Sequence, residues 1–401
     1  MDLWFVRMLA MQFALMMPVN GLRPMVSYRA LELGASPLEL GIVAGGFGAL
    51  SFVFAMPLGR WVDRLGEPLF LALGASTVAL AAFLLLPVGN LWVLAGVFAV
   101  LGLGQVMAAV GLQTLTSSGG RPEQRDRRFG AFSVTAALSQ MVGPPLAGLV
   151  FGWYGGSLDA VFLVAASMMG IAVALAVTLL VWPPREHERG PRATDGSEPP
   201  RASMRSTMST VLRQPSVPHA MFVSLAVVSS IDLLTAYLPA YGEANGIPVE
   251  TVGLLLGLRA AATIASRVGM VAVVRRIGRR RLLAVATTTA MAAMLLLPTT
   301  TRPAMLAALI IVGGLGLGMG QPLSLSWITE QVPPAIRGTA VGMRMTANRG
   351  TQMVIPIVAG AVAGVTGIGV VFILMGGMLA AGAMVVARAP SAGGGSRETA
   401  S

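Results

Sequence analysis

The sequence predicts an all-α polytopic membrane protein whose twelve membrane-crossing helices form two pseudo-symmetric halves of six. Three observations carry that expectation. The 401 residues are 55% hydrophobic and only 11% charged, with mean hydropathy +0.76, a balance foreign to water-soluble domains of this size. Apolar runs of about 20 residues, the length that crosses a hydrocarbon core, recur along the whole chain. A single offset superposes the second half on the first.

The runs fall at roughly 4–32, 37–58, 69–87, 90–117, 129–153, 158–182, 216–241, 248–274, 282–298, 303–329, 339–365 and 368–387. The first starts directly after Asp2, without a charged leader or a small-residue cleavage site, and is expected to be a retained helix. Between the sixth and seventh lies 183–215, rich in Pro, Arg, Glu and Ser, which reads as a flexible linker. The expected organisation is therefore a six-helix bundle over 1–182, the linker, a second six-helix bundle over 216–389 and a disordered tail over 390–401.

Charge sets the expected orientation. All 28 basic residues are Arg, and the formal net charge is +11. They concentrate in segments after even-numbered runs: Arg60 and Arg64; Arg121, Arg125, Arg127 and Arg128; Arg275, Arg276, Arg279, Arg280 and Arg281; Arg337. By the positive-inside rule those segments are cytoplasmic, as are both termini, in a multi-pass protein of the cytoplasmic (inner) membrane. This placement accounts for the basic balance without nucleic acid. The chain has no Cys, and neither His187 nor His219 has metal-ligand spacing, so no metal and no cofactor is expected.

The offset is 212 residues. It carries Gly34 onto Gly246, Gly41 onto Gly253, Gly45 onto Gly257, Gly66 onto Gly278, Gly102 onto Gly314 and Gly104 onto Gly316. It continues without a gap, carrying Pro122 onto Pro334, Arg125 onto Arg337, Gly130 onto Gly342, Gln140 onto Gln352, Pro144 onto Pro356 and Gly148 onto Gly360. Glycines coincide often by chance, but Pro, Arg and Gln at the same offset indicate an internal duplication of six helices.

Two motifs then point to a family. Between the second and third runs stands Gly59-x-x-x-Asp63-Arg64-x-Gly66, a short charged turn closed by its glycines. It resembles the signature loop of the major facilitator superfamily of secondary transporters, except that Glu67 and Pro68 replace two basic residues. The fifth run carries Gly130, Gly143, Pro144 and Gly148 at positions of the antiporter pattern G-x8-G-x3-GP-x2-GG, with Ser139 and Ala147 in place of two glycines. Small residues there allow close packing, and Pro144, like Pro356 in the second half, frees a carbonyl and kinks its helix. The family's usual Arg in the fourth run is Phe98 here. The resemblance extends over nearly the whole chain and lies nearest the drug and small-molecule proton antiporters. It implies a substrate site between the halves near the membrane midplane. It also implies a cytoplasmic gate in which Asp63 faces the start of the eleventh helix near Gly338, with Gly59, Arg64, Gly66, Arg125, Arg128 and Arg337 as its other members. Arg275 stands at the repeat position of Asp63, so the gate is expected to be asymmetric.

Charges inside the runs mark the candidate site, because an ionised side chain near the bilayer centre costs on the order of 3 kcal/mol unless paired or hydrated. Asn20 and Arg23 lie on one polar stripe of the first helix together with Gln12, Met16 and Ser27. Arg259 and Thr263 share a face of the eighth, and Arg344, Asn348 and Gln352 follow four-residue spacing on the eleventh. Gln105, Gln113, Gln140 and Gln321 add amides. Arg267, Arg344 and Arg349 are read equally as interfacial residues that snorkel. Asp232, at the repeat position of Asn20, is the one acidic residue deep in any run: either a fixed partner for an Arg or the site of proton coupling.

The expectation is a monomeric secondary transporter in the lipid bilayer, not an enzyme, moving a small organic anion or zwitterion, coupled to protons and favouring export. Two rivals stay open: broad efflux of lipophilic cations, and a sensor that binds without transporting.

Overall fold

A computed structural model describes residues 2–117, 122–182, 204–214, 216–333 and 336–388, all helices and short connections with no strand among them. The first half comprises α1 (Leu3–Glu32), α2 (Pro37–Leu65), α3 (Glu67–Leu84), α4 (Leu91–Ser117), α5 (Pro122–Trp153) and α6 (Leu158–Val181). A short helix, α7 (Met204–Arg213), precedes the second half: α8 (Val217–Ala244), α9 (Val249–Val268), α10 (Met270–Ile277), α11 (Arg279–Leu296), α12 (Pro303–Gln331), α13 (Arg337–Thr366) and α14 (Val370–Arg388). The expected disorder of the linker over 183–203 and of the tail over 389–401 lies outside the described residues.

Among the described residues, eleven helices are long and apolar enough to cross a membrane, one fewer than expected. The difference is α13, which is 30 residues long but carries Arg337, Arg344, Asn348, Arg349 and Gln352. Those groups lower its hydropathy because the helix lines a polar interior. Lipid-facing positions are apolar: Leu80, Phe83, Ile171, Val285 and Ile373 all stand exposed on the perimeter.

Several expected boundaries move. The charged segment Pro57–Gly66 is the last turns of α2, not a turn, and Gly66 alone joins it to α3. Likewise α5 starts at Pro122, so Arg125 and Arg128 ride on helix rather than loop. The eighth run breaks at Gly269 into α9 and α10, and part of the linker is helical as α7, whose Val211 is buried against Val217, Ala220 and Ile328.

The duplication is written into the backbone. Gly66 and Gly278 take the same left-handed conformation, φ 81° and ψ 150° against φ 81° and ψ 153°, and each starts a helix at the next residue. Such values suit glycine alone. The other left-handed glycines include the repeat pairs Gly34 with Gly246 and Gly155 with Gly367.

The halves meet through α2 on α13, α5 on α9 and α1 on α8. The first two seams are repeat images. A Cβ on Gly253 would lie 2.5 Å from the Pro144 carbonyl oxygen, and one on Gly41 would collide with the carbonyl of Pro356, the repeat partner of Pro144. All of these contacts lie toward the end where α1 passes to α2 and α8 to α9. There Tyr237 donates to the Pro356 carbonyl at 2.7 Å and lies 3.2 Å from that of Pro37. The molecule is shut at this end.

Candidate functional site

Beyond the closed end the halves separate around a polar cavity. Its inner part, about 310 Å³, is walled by Asn20, Arg23, Phe47, Gln105, Gln140, Asp232, Arg259, Arg267, Gln321, Arg349 and Gln352. An adjoining part of about 420 Å³ shares Gln321, Arg349 and Gln352 and adds Gln113, Arg344 and Asn348. With Leu58 and Gly342 in its wall, this part lies toward the end where α2 passes to α3 and α13 begins. Every residue expected to bind substrate therefore lines one cavity, together with Asp232.

Each helix brings its polar group in for a local reason. On α1, Asn20 satisfies itself on the Met16 carbonyl at 2.7 Å, while Arg23, one turn on, reaches across to α8. Its Nη2 lies 2.5 Å from Asp232 Oδ1, and its guanidinium lies 4.6 Å above the Phe47 ring centre. The other carboxylate oxygen, Oδ2, is buried without a hydrogen-bond partner. Arg259 on α9 is 6% exposed, and its Nε also has no partner. Two polar atoms are thus left over in the wall of the inner cavity, where burying them without a ligand or water is costly.

The remaining cations are anchored. Arg267 donates to the Gly318 carbonyl at 3.1 Å, and Arg349 donates to Gln352 Oε1 at 2.7 Å. Arg344 is buried, giving Nε to Ser224 Oγ at 2.8 Å and Nη2 to the side chain of Gln321. Ser224 in turn donates to Asn348 Oδ1 at 3.3 Å. All three Arg residues line the cavity. Gln105 turns its amide nitrogen to Met16 Sδ at 3.8 Å and leaves its oxygen unpaired. The cavity thus gathers Arg23, Arg259, Arg267, Arg344 and Arg349 against the single carboxylate of Asp232.

Sequence reasoning weighs Arg349 equally as a site residue and as a snorkelling one, and does not single out Phe47. For Arg349 the available signal is its three-residue spacing from Gln352, which puts both on one face. For Phe47 it is the offset, since its repeat position is Arg259.

The expected gate residues lie apart from this cavity. Arg128 is buried within the first half, 3.3 Å from Asp2 Oδ2 and 4.7 Å from the Trp4 ring centre. Arg125 and Arg64 are exposed, and Arg337 donates to the Val332 carbonyl at 3.3 Å. The side chain of Asp63 and the surroundings of Gly59 lie outside the described residues, and Gly66 closes the joint between α2 and α3. Of the expected kink residues, Gly143 seats α5 on α1, where its Cβ would lie 3.0 Å from Gly21 N, and Gly148 seats α5 on α9, 3.0 Å from Glu250 Cα. Pro144 and Pro356 sit inside continuous helices at the two seams.

Two helical halves around a central polar cavity, closed at one end, define a membrane transporter. Residues 8–268 and 220–399 both match the Major Facilitator Superfamily, and the chain belongs to that family. The fold is similar to the crystal structure of the nucleoside transporter NupG, solved in a mutant form, at TM-score 0.78 and 15% identity over 96% of this chain and 99% of that one. It is also similar to a POT family transporter in complex with 5-aminolevulinic acid, at TM-score 0.74 and 13% identity over 96% and 95% of the two chains. At such identities the likeness concerns the fold alone. A 29-residue stretch is 66% identical to the arabinose-proton symporter of Bacillus subtilis (strain 168), covering 7% of this chain and 6% of that protein.

Proposed function

We propose that this transporter carries a small organic anion, or a zwitterion held by its carboxylate, across the cytoplasmic membrane by alternating access. The observation that carries the reading is the cavity's excess of guanidinium groups over the one carboxylate of Asp232. In a desolvated cavity that excess favours an anion, and the planar forks of Arg suit carboxylate geometry. Arg23 already occupies Asp232, which leaves little to anchor a lipophilic cation.

The positive-inside distribution puts the open end of the cavity on the cytoplasmic side, with both termini there and the closed end outside. The fifth-helix motif favours export by a single copy of the chain. Proton coupling rests on Asp232, the carboxylate of the cavity, which is held by Arg23 in this state.

The test is a thermal-unfolding screen of the detergent-purified protein against organic anions, zwitterions and lipophilic cations, followed by flux of the hits in proteoliposomes. Stabilisation by anions that disappears in Arg259→Gln, with flux dependent on Asp232 and on a pH gradient, supports the proposal. Stabilisation by cations alone would sink the anion reading, and flux indifferent to pH and to Asp232→Asn would sink proton coupling.

A further inference from the structure

At the shut end, on the far side of the seam from the polar cavity, lies an open recess of about 410 Å³ with walls from both halves. Its chemistry inverts that of the cavity. Glu243 and Glu250 face it from α8 and α9, and neither takes part in an ion pair among the described residues. Glu32 also lines it and shares Arg29 with Asp159, lying 3.2 Å from Nη1. In and beside the recess, Glu32, Asp159, Glu243 and Glu250 therefore stand against the one guanidinium of Arg29, in a strongly basic chain.

A second observation is independent of the acids. Tyr28 lines the same recess and is only 6% exposed, yet its hydroxyl has no hydrogen-bond partner. A buried phenol ordinarily finds one. Phe151 and Ile247 complete the wall with an aromatic ring and an aliphatic surface.

We propose that this recess is a second binding site, and that it takes a small protonated amine. Its ammonium would meet the Glu243 and Glu250 carboxylates and the Tyr28 hydroxyl oxygen, while its carbon body lies on Phe151 and Ile247. A bare metal ion fits poorly: the volume is far larger than one ion, and among the described residues no group of three acidic, His or Cys side chains is placed to hold a metal. Glu250 also marks the seam, because a Cβ on Gly152 of α5 would meet its Oε1 at 2.5 Å. An amine held there touches both halves and keeps this end shut. The proposal stands apart from the anion reading of the cavity, since it shares no residue with it.

The experiment is thermal unfolding of the full-length protein in detergent, titrated with n-butylammonium chloride against NaCl and MgCl2 at matched ionic strength. The expected result is a rise in melting temperature of about 2 °C or more with butylammonium beyond either salt. Tyr28→Phe and Glu250→Gln should each move the midpoint of that titration up by about tenfold, as the loss of one charge-assisted bond implies. Asp232→Asn, in the central cavity, should leave it unchanged. Tyr28→Phe removes a hydroxyl that already lacks a partner, so it folds and tests the site even where a Glu variant does not. An equal rise with NaCl or MgCl2, or none with the amine, overturns the proposal. So does a midpoint that ignores Tyr28→Phe or collapses in Asp232→Asn.

Discussion

Arg23 of α1 and Asp232 of α8 tie the two halves together across the cavity, with Nη2 2.5 Å from Oδ1. The bond has no counterpart in the repeat. Asn20 stands at the position of Asp232 and Thr235 at that of Arg23, so duplication supplied the place and later divergence the charge.

Breaking the pair one-sidedly should cost more than removing it. Asp232→Ala leaves a partly buried guanidinium without its anion, a loss of about 3 kcal/mol by comparison with other buried pairs. The double variant Arg23→Met with Asp232→Leu should regain most of that stability in thermal unfolding and remain inactive in proteoliposome flux. A double variant as unstable as the single one would show that the pair is not what the single substitution disturbs.

Arg259 offers a cleaner test of substrate charge. It is buried, its Nε has no partner, and it lies beside Asp232 without bonding it. Arg259→Gln should weaken anion binding by about tenfold to a hundredfold, the range for a lost ionic hydrogen bond, and Arg259→Lys should recover part of it. Titration by thermal shift reads both, and equal binding in all three proteins would remove Arg259 from the site.

Tyr237 is a latch at the shut end, bonded to carbonyls in α13 and at the start of α2. Tyr237→Phe should cost about 1 kcal/mol and loosen that end. Because the chain has no native Cys, a single cysteine at Gln140 reports the change: an impermeant maleimide added from the closed side should label it faster in Tyr237→Phe than in the parent.

Steric closure can be tested at the matching seams. Gly253→Leu would drive a side chain into the Pro144 carbonyl, and Gly41→Leu would do the same at Pro356. Both should favour the state in which this end is open and should reduce transport in proteoliposomes. If one abolishes transport and the other leaves it intact, the two seams do not act as equivalents.

Much of this was legible in the chain because an arginine is costly within a membrane, and because glycine and proline mark the points where helices approach closely. The offset that aligned Gly41 with Gly253 and Pro144 with Pro356 had in fact identified the contact points of the two seams. Asn20 and Arg23 of the first run, Arg259 of the eighth and Arg344, Asn348 and Gln352 of the eleventh do share a cavity, while Gln12 and Thr263 bond within their own halves. Three-dimensional partners were not legible. Period and spacing placed Arg23 and Asp232 on inward faces but left open whether they touch, and nothing local in α13 distinguished the buried Arg344 from a snorkelling one. The shut-end recess was equally hidden, since Tyr28, Glu243 and Glu250 look like ordinary helix ends until the halves are brought together.

The gap-free repeat has a consequence for what the cavity can recognise. A half-turn about the axis between the halves nearly restores the backbone, so the scaffold by itself would receive a molecule either way round. The side chains break that equivalence at Asn20 against Asp232, Arg23 against Thr235 and Phe47 against Arg259. Which way round a molecule sits in this cavity is therefore set by side chains such as these, with Gln105 against Leu317 and Phe132 against Arg344 among the others, and not by the frame.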